Sequence, residues 1–431
     1  MDPRRIGNGK ADPSLTGVAG LVAFGVFLRA IQVDADLRDL FSPLKAGSGV
    51  IYPMETQLRM LIDLFVLGES RVFALEATAA DPLFVLLAGG VVPRLDTVYR
   101  DLERFDEDAL ASLDSYVATH AAAETKAMRL REAHLDIDTT VEPLFGEHEG
   151  GLPGYNPSYH GRPSYHPIVG RIAEVDAIIG ARLRPGNTTF GVEDATYVGC
   201  LLDRTRTAVG PKCMLYVRID GAGDCTEIMS TIAARGAFFL TKARMTADLC
   251  AAVSMAPNWK TVDRDADGTP TRQVAEVEFA RGEWSKNELA VRVLAVRSRD
   301  RENGKQVYLW NDLDYTVQVF LTNDTHSYPD DLAHRYDKRA GIEPLIAELK
   351  GAWGIDKVPS HNFHANHAAL LLKVLAYNLL RRYVRAQAPA LRYWRAPWIR
   401  RAIINVPGRL VRSGRRITLR MAPRPMMPLL N

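Results

Sequence analysis

Met214-Leu-Tyr-Val-Arg-Ile-Asp-Gly-Ala-Gly223 is the stretch on which the fold turns. Met214 to Ile219 is an apolar run, hence a buried strand, broken at once by Asp220 and two glycines. A helix-like segment from Cys225 to Arg235 follows, and then a further strand, Ala237-Phe-Phe-Leu-Thr241. Strand, helix and strand in that order predict an α/β class. Such sheets place functional groups at the carboxyl ends of their strands, which singles out Asp220. The plainer reading is a loop carboxylate that caps the next helix at its positive end.

Two other segments carry the same signal. In His134-Leu-Asp-Ile-Asp-Thr-Thr-Val141, Leu135 and Ile137 alternate as in a half-buried strand, so Asp136 and Asp138 project from its other face. Its plainer reading is a strand ending in a polar turn, with Asp138 as an Asx cap. Downstream, Ser327, Pro329 and Asp330 open a helix that bears Tyr336, Arg339, Glu343 and Lys350. Those four fall at roughly 0°, 300°, 340° and 320° around a straight helix, forming one narrow polar stripe. Ile342, Leu345, Ile346, Leu349 and Trp353 form an apolar stripe about a quarter-turn away. Arg339 and Glu343 also suit an ordinary i,i+4 surface pair. Gly341 and Pro344 predict a kink near Glu343.

Asp138, Asp220 and Glu343 together suggest one acidic cluster. Like charges at close quarters raise one another's pKa unless a cation joins them. Two Mg²⁺ ions about 4 Å apart would relieve that repulsion and serve phosphodiester chemistry, with Mn²⁺ as a substitute. Arg339 and Lys350 would grip phosphate and Tyr336 would hydrogen-bond it.

Asp138-Thr-Thr, Asp220 and Tyr336-x2-Arg339-x3-Glu343-x6-Lys350 resemble the DDE transposases of bacterial insertion sequences, in the cut-and-paste branch with the Tyr-Arg-Glu-Lys signature. Phe145-Gly-Glu-His-Glu-Gly-Gly, Gly154-Tyr-Asn-Pro, Gly161-Arg-Pro-Ser-Tyr-His-Pro167, Asn362-Phe-His-Ala-Asn366 and Leu375-Ala-Tyr-Asn-Leu379 resemble segments of the same group. The resemblance spans roughly Leu135 to Arg385, with the motifs in family order. It implies an RNase H-like catalytic core holding the triad Asp138, Asp220 and Glu343. It further implies hydrolysis and strand transfer at transposon inverted-repeat ends, with double-stranded DNA as partner and a homodimer on that DNA. A catalytically inactive, domesticated DNA-binding protein and an RNase H-like nuclease without strand transfer are the rival readings.

The expected organisation has five parts. Residues 1–130 read as a mostly helical DNA-end-binding region, with an amphipathic segment at Met54 to Leu67. Leu83 to Val91 and Arg94 to Phe105 read either as a helix-turn-helix, with Thr97, Tyr99 and Arg100 near the groove, or as a plain helical hairpin. Residues 131–250 and 326–385 form the two parts of the core. His160, Arg162, Tyr165 and His166, in the Gly/Pro-rich loop, either contact DNA or fix the loop. Residues 251–325 read as an inserted β-rich domain, from strands at Arg272 to Phe279, Leu289 to Val296, Gln306 to Trp310 and Thr316 to Leu321. Asp267-Gly268 and Asn303-Gly304 mark its turns, and Trp284 and Trp310 are core residues or base-stacking platforms. Residues 386–431 read as a basic tail.

Charge and cysteine usage narrow the function classes. The net charge of +3 conceals thirteen arginines and no acidic residue from Arg381 onward. The remainder carries 41 basic and 51 acidic groups, a balance of −10. Such a segment attracts phosphate backbones. The four cysteines form no CxxC pair, so neither a zinc site nor a disulfide framework is expected, and a cytoplasmic, nucleoid-associated setting is the simplest. Val18 to Leu28 is too short and glycine-rich to span a bilayer, so no membrane partner is expected. No Walker P-loop or dinucleotide fingerprint occurs.

Overall fold

The computed structural model describes residues 10–156, 159–299 and 315–423. The chain divides into two compact units. One comprises 1–116, 146–149 and 347–431, and the other 117–145 and 150–346.

The second unit is built on a mixed sheet of nine strands. They are β1 (Glu132–Thr139), β2 (Ile168–Ile172), β3 (Ala177–Arg182), β4 (Met214–Ile219), β5 (Phe238–Lys242), β6 (Lys260–Arg264), β7 (Pro270–Val277), β8 (Arg292–Arg299) and β9 (Tyr315–Thr322). Their order across the sheet is β6-β7-β8-β9-β5-β4-β1-β2-β3. β1, β4 and β5 pair in parallel, and the remaining pairs are antiparallel. The parallel strands need crossovers, which α1 (Ala195–Val209) and α2 (Thr226–Ala234) supply.

The strands of the expected insert differ in one respect from a separate domain: they prolong the core sheet. β9 pairs with β5 through Phe320↔Lys242, Leu321↔Thr241 and Thr322↔Leu240. The physical reason is two-sided burial. Val319 and Leu321 join one apolar layer, and Phe320 joins the other. Gln306 to Trp310 and Asn303-Gly304 lie outside the described residues.

Both faces of the sheet are covered, which corrects the half-buried reading of β1. Leu135, Ile137, Val217 and Ile219 pack with α1 and α2 on one face. On the other, Tyr216, Leu240, Leu294 and Phe320 receive Leu332 and Ala333 of α3 (Pro329–Asp337). Asp136 and His134 therefore lie under cover instead of facing water. Each large apolar side chain so buried contributes about 1.5–3 kcal/mol.

A single 3₁₀ turn, Lys338–Gly341, separates α3 from α4 (Ile342–Trp353). The break stands at Gly341, just ahead of the Pro344 that disfavours a continuous helix.

The first unit is mainly helical. Helix Met54–Leu67 is buried nearly throughout, not on one face only, and so is Phe363–Gln387. Its buried Gln57 donates to Asp101 (2.6 Å), and Arg59 meets Asp63 (3.2 Å). The segment read as a helix-turn-helix or hairpin consists of Pro82–Leu87 and Leu95–Leu102, the second docked through Val98, Asp101 and Leu102. The basic C-terminal segment is folded through much of its length, with a helical turn from Ala396 to Ile404 and a hairpin from Gly408 to Met421. Among the described residues no helix is long and apolar enough to cross a membrane.

Candidate active site

Strand register brings the first two carboxylates together. β1 and β4 run parallel with Asp136 opposite Arg218, and extending that register by two residues sets Asp138 alongside Asp220. Both stand at carboxyl ends of neighbouring parallel strands. Asp138 Oδ1 accepts the Thr139 amide at 2.9 Å. Asp220 Oδ1 accepts the Ala222 amide at 2.9 Å, so it also caps the short turn Gly221–Gly223. Gly223 is required there: a Cβ would sit 2.5 Å from Thr241 Oγ1 and 2.6 Å from Ile219 Cβ. The Thr241 hydroxyl donates to the Asp220 carbonyl at 2.7 Å and ties β5 to the same corner.

The break between α3 and α4 supplies the third carboxylate. Arg339, in the 3₁₀ turn, is buried, and its Nη2 lies 3.1 Å from Asp138 Oδ1. Its Nη1 lies 3.9 Å from Glu343 Oε1. Arg339 Nε is buried without a hydrogen-bond partner. Glu343 itself is largely exposed. Tyr336, at the end of α3, packs on Phe320 with ring centroids 4.4 Å apart.

Electrostatics show that these groups share one field. Burial, opposed by the Arg339 cation and reinforced by the negative charges of Asp220 and Glu343, pushes the Asp138 carboxyl up to about 6. Burial also raises the Tyr336 phenol to about 12, with Arg339 opposing and Asp220, Asp138 and Glu343 adding to the shift. Lys350, the last member of the polar stripe, stands on the part of α4 that belongs to the other compact unit.

Beneath Asp138 lies a buried ion network that sequence reasoning missed. Arg218 Nε and Nη2 donate to the two oxygens of the fully buried Asp136, at 2.6 and 3.0 Å. Arg171 Nη1 approaches Asp136 at 3.4 Å, while its Nε holds Asp176 at 2.8 Å. Arg218 Nη1 donates to the Arg335 carbonyl at 2.6 Å and so grips the carboxyl end of α3. Arg171 also abuts Gly341, where a Cβ would meet its Nη1 at 2.9 Å. The strand that carries Asp138 is thereby tied to the turn that carries Arg339 and leads into Glu343. The sequence signal is Arg218 inside an apolar run, since a charge in a buried strand requires a partner.

Other expected contacts have structural roles. Tyr165 and His166 are buried, and Arg184 donates to the His166 carbonyl at 2.8 Å. Arg162 lies between exposed rings, 4.4 Å from the Phe145 centroid and 5.0 Å from that of Tyr159. Trp284 is a core residue, and Trp310 lies outside the described residues.

A divalent metal can be tested against the donor set. Three carboxylates are hard oxygen donors of the kind Mg²⁺ takes. The raised Asp138 carboxyl marks an excess of negative charge that a divalent cation would relieve. As they stand, however, no group of three or more His, Cys, Asp or Glu side chains is arranged to hold a metal among the described residues. The cation on Asp138 is Arg339. The residues thus fit a metal in chemistry, and holding one requires Arg339 to yield its place on Asp138.

Of the comparisons with known proteins, a family model assigns the family. No curated protein sequence matches the chain. Among solved structures, the piggyBac transposase synaptic complex with hairpin DNA, determined by cryo-EM, is similar at 10% identity and a TM-score of 0.44. That match covers 89% of this chain and 78% of the other, a likeness too weak to bear on function. The model of the transposase DDE domain group 1 matches residues 8–428. The chain belongs to that family of DDE transposases.

Proposed function

We propose that the chain is a cut-and-paste DNA transposase of the insertion-sequence branch with the Tyr-Arg-Glu-Lys signature, built on an RNase H-like core. It hydrolyses a phosphodiester at each inverted-repeat end and then transfers the freed strand. The observation that carries this reading is the pair Asp138 and Asp220 at the ends of two adjacent parallel strands, in one field with Glu343 of α4. The sheet order β3-β2-β1-β4-β5, with a parallel β1-β4-β5 half, supports the RNase H-like reading.

Asp138, Asp220 and Glu343 would hold Mg²⁺, or Mn²⁺ in its place. When bound, the metal lowers the pKa of water and neutralises charge on the phosphoryl group. Water attacks phosphorus and gives a proton to solvent while the P–O3′ bond breaks and the leaving 3′ oxygen takes up a proton. That hydroxyl then attacks a second phosphodiester, giving its proton to solvent, while the P–O3′ bond of that second linkage breaks and its 3′ oxygen leaves and is protonated. Arg339 offers an unpartnered buried Nε and a guanidinium already at the site, which suits it to receive a phosphate oxygen. The half-buried Tyr336 phenol, kept protonated by its surroundings, is fixed as a hydrogen-bond donor. Lys350 is assigned to phosphate further along the strand. Two ends must be joined, so a homodimer on double-stranded DNA is the working assembly, in a cytoplasmic, nucleoid-associated setting.

The test is a gel assay on labelled duplexes carrying the element's ends, with Mg²⁺ or with EDTA. The expected result is cleavage and joining in Mg²⁺ only, abolished in Asp138→Asn, Asp220→Asn and Glu343→Gln. End binding without nicking would instead identify an inactive DNA-binding protein. Cutting without joining would identify a nuclease.

A further inference from the structure

The arginines of the C-terminal segment fall into two physical classes. Arg400 is buried, and it donates to the carbonyls of Val66 (2.9 Å), Phe65 (2.9 Å) and Ala352 (2.7 Å). It also lies 4.3 Å from the Trp353 ring centroid. Arg381 likewise donates to the carbonyls of Trp394 and Arg392. These two cations hold main chain together and are not available to a ligand.

The hairpin is the opposite case. Strands Gly408–Ser413 and Arg416–Met421 pair antiparallel, joined by a two-residue turn with Gly414 at φ +58°. Fourteen residues there include five arginines and no acid. Opposite residues share a face of the ribbon. Leu410↔Leu419 and Gly408↔Met421 turn inward, where Leu410, Leu419 and Met421 pack on Ala19, Leu83 and Val406. Arg409↔Arg420, Val411↔Thr418 and Ser413↔Arg416 occupy the other face, with Arg415 at the tip. Arg409, Arg412, Arg415, Arg416 and Arg420 are all exposed. Among the described residues Arg409 meets Asp12 at 3.0 Å, and Arg412, Arg415, Arg416 and Arg420 have no carboxylate partner.

Arg409 and Arg420 stand directly opposite each other, and Asp12 pairs with Arg409, which leaves Arg420, Arg416 and Arg415 to attract a further anion. Most of the hairpin's large apolar side chains are turned onto the unit's own core, which leaves little apolar surface to enter a bilayer. Leu15–Thr16 pairs with the Gly408–Arg409 end, so from Val411 to the tip the hairpin is a two-stranded ribbon, of a width that the major groove of DNA admits.

We propose that the outward face and tip of this hairpin bind the sugar-phosphate backbone of double-stranded DNA. The inference rests on the transposase reading for its choice of polyanion. The hairpin's bonds are to phosphate, so they position the enzyme without reading sequence.

The experiment compares the full chain with its Arg415→Gln/Arg416→Gln/Arg420→Gln variant. Anisotropy of a labelled duplex of arbitrary sequence is followed over a KCl series in EDTA. The expected slope of log K against log salt falls by about 0.9 for each phosphate that the variant no longer neutralises, about 2–3 in all. An Arg→Lys triple variant should retain the slope, and the melting temperature of all three should agree because the side chains are exposed. An unchanged slope in the Gln variant overturns the proposal and leaves the transposase reading standing. Loss of binding to phosphatidylserine vesicles with an unchanged DNA slope overturns it in favour of a membrane surface. Failure of the unmodified chain to bind duplex at all overturns both.

Discussion

Asp138→Asn should make the protein more stable at neutral pH while removing its activity. The unfolded Asp138 carboxyl ionises near 3.8, whereas the folded one ionises only near 6. Between those values the unfolded chain releases a proton that the folded chain retains, so stability falls as pH rises from about 4 to about 6 and is level above. The gap corresponds to about 3 kcal/mol, at about 1.4 kcal/mol for each tenfold change in proton affinity. Asparagine resembles the protonated carboxyl in shape and charge. The variant should therefore gain up to about 3 kcal/mol over the wild type at pH 7.5 and nothing below about pH 3.5. The assay is urea unfolding in EDTA across that range, with hydrogen exchange at the β1 amides assigning the change to the sheet-bearing unit. Mg²⁺ at pH 7.5 should then stabilise the wild type and not the variant. Equal stabilities at pH 7.5, or a less stable variant, would refute a carboxylate held at a cost for the sake of a cation.

Removing a buried partner gives a second expected outcome. Arg218→Met leaves the buried Asp136 with only the 3.4 Å approach of Arg171, and should cost roughly 3–5 kcal/mol in unfolding experiments. The double variant Asp136→Leu/Arg218→Met should cost much less than the sum of the two singles, and strict additivity would argue that the pair is uncoupled. Glu348→Gln should cleave end DNA within a few-fold of the wild type, because Glu348 Oε1 serves the Ala396 amide at 2.8 Å, an acceptor role glutamine keeps. A cleavage defect equal to that of Glu343→Gln would shift the catalytic assignment.

Much of this site is legible locally. The apolar run ending at Asp220 and the alternation ending at Asp138 each identify a strand and the residue at its mouth. The register that joins them is a tertiary fact, fixed by pairing between segments 82 residues apart. Alternation reads Asp136 as solvent-facing because it cannot tell a sheet with one open face from one that a later helix covers. The polar stripe assumes a straight helix at about 100° per residue. A 3₁₀ turn advances about 120° per residue, so four residues of it rotate Glu343 and Lys350 relative to Tyr336. The thirteen arginines look alike in composition, yet Arg400 caps main-chain carbonyls in the core and Arg415 stands at a hairpin tip. Charge counting carries no information about which cations find carbonyls.

The central claim is that Asp138, Asp220 and Glu343 act as one divalent-metal centre. Mn²⁺ binding followed by electron paramagnetic resonance on the wild type and four variants tests it most directly. The expected result is that Asp138→Asn, Asp220→Asn and Glu343→Gln each lose or greatly weaken the bound Mn²⁺ signal, and Glu348→Gln retains it. Wild-type Mn²⁺ affinity in any of the first three would contradict the claim.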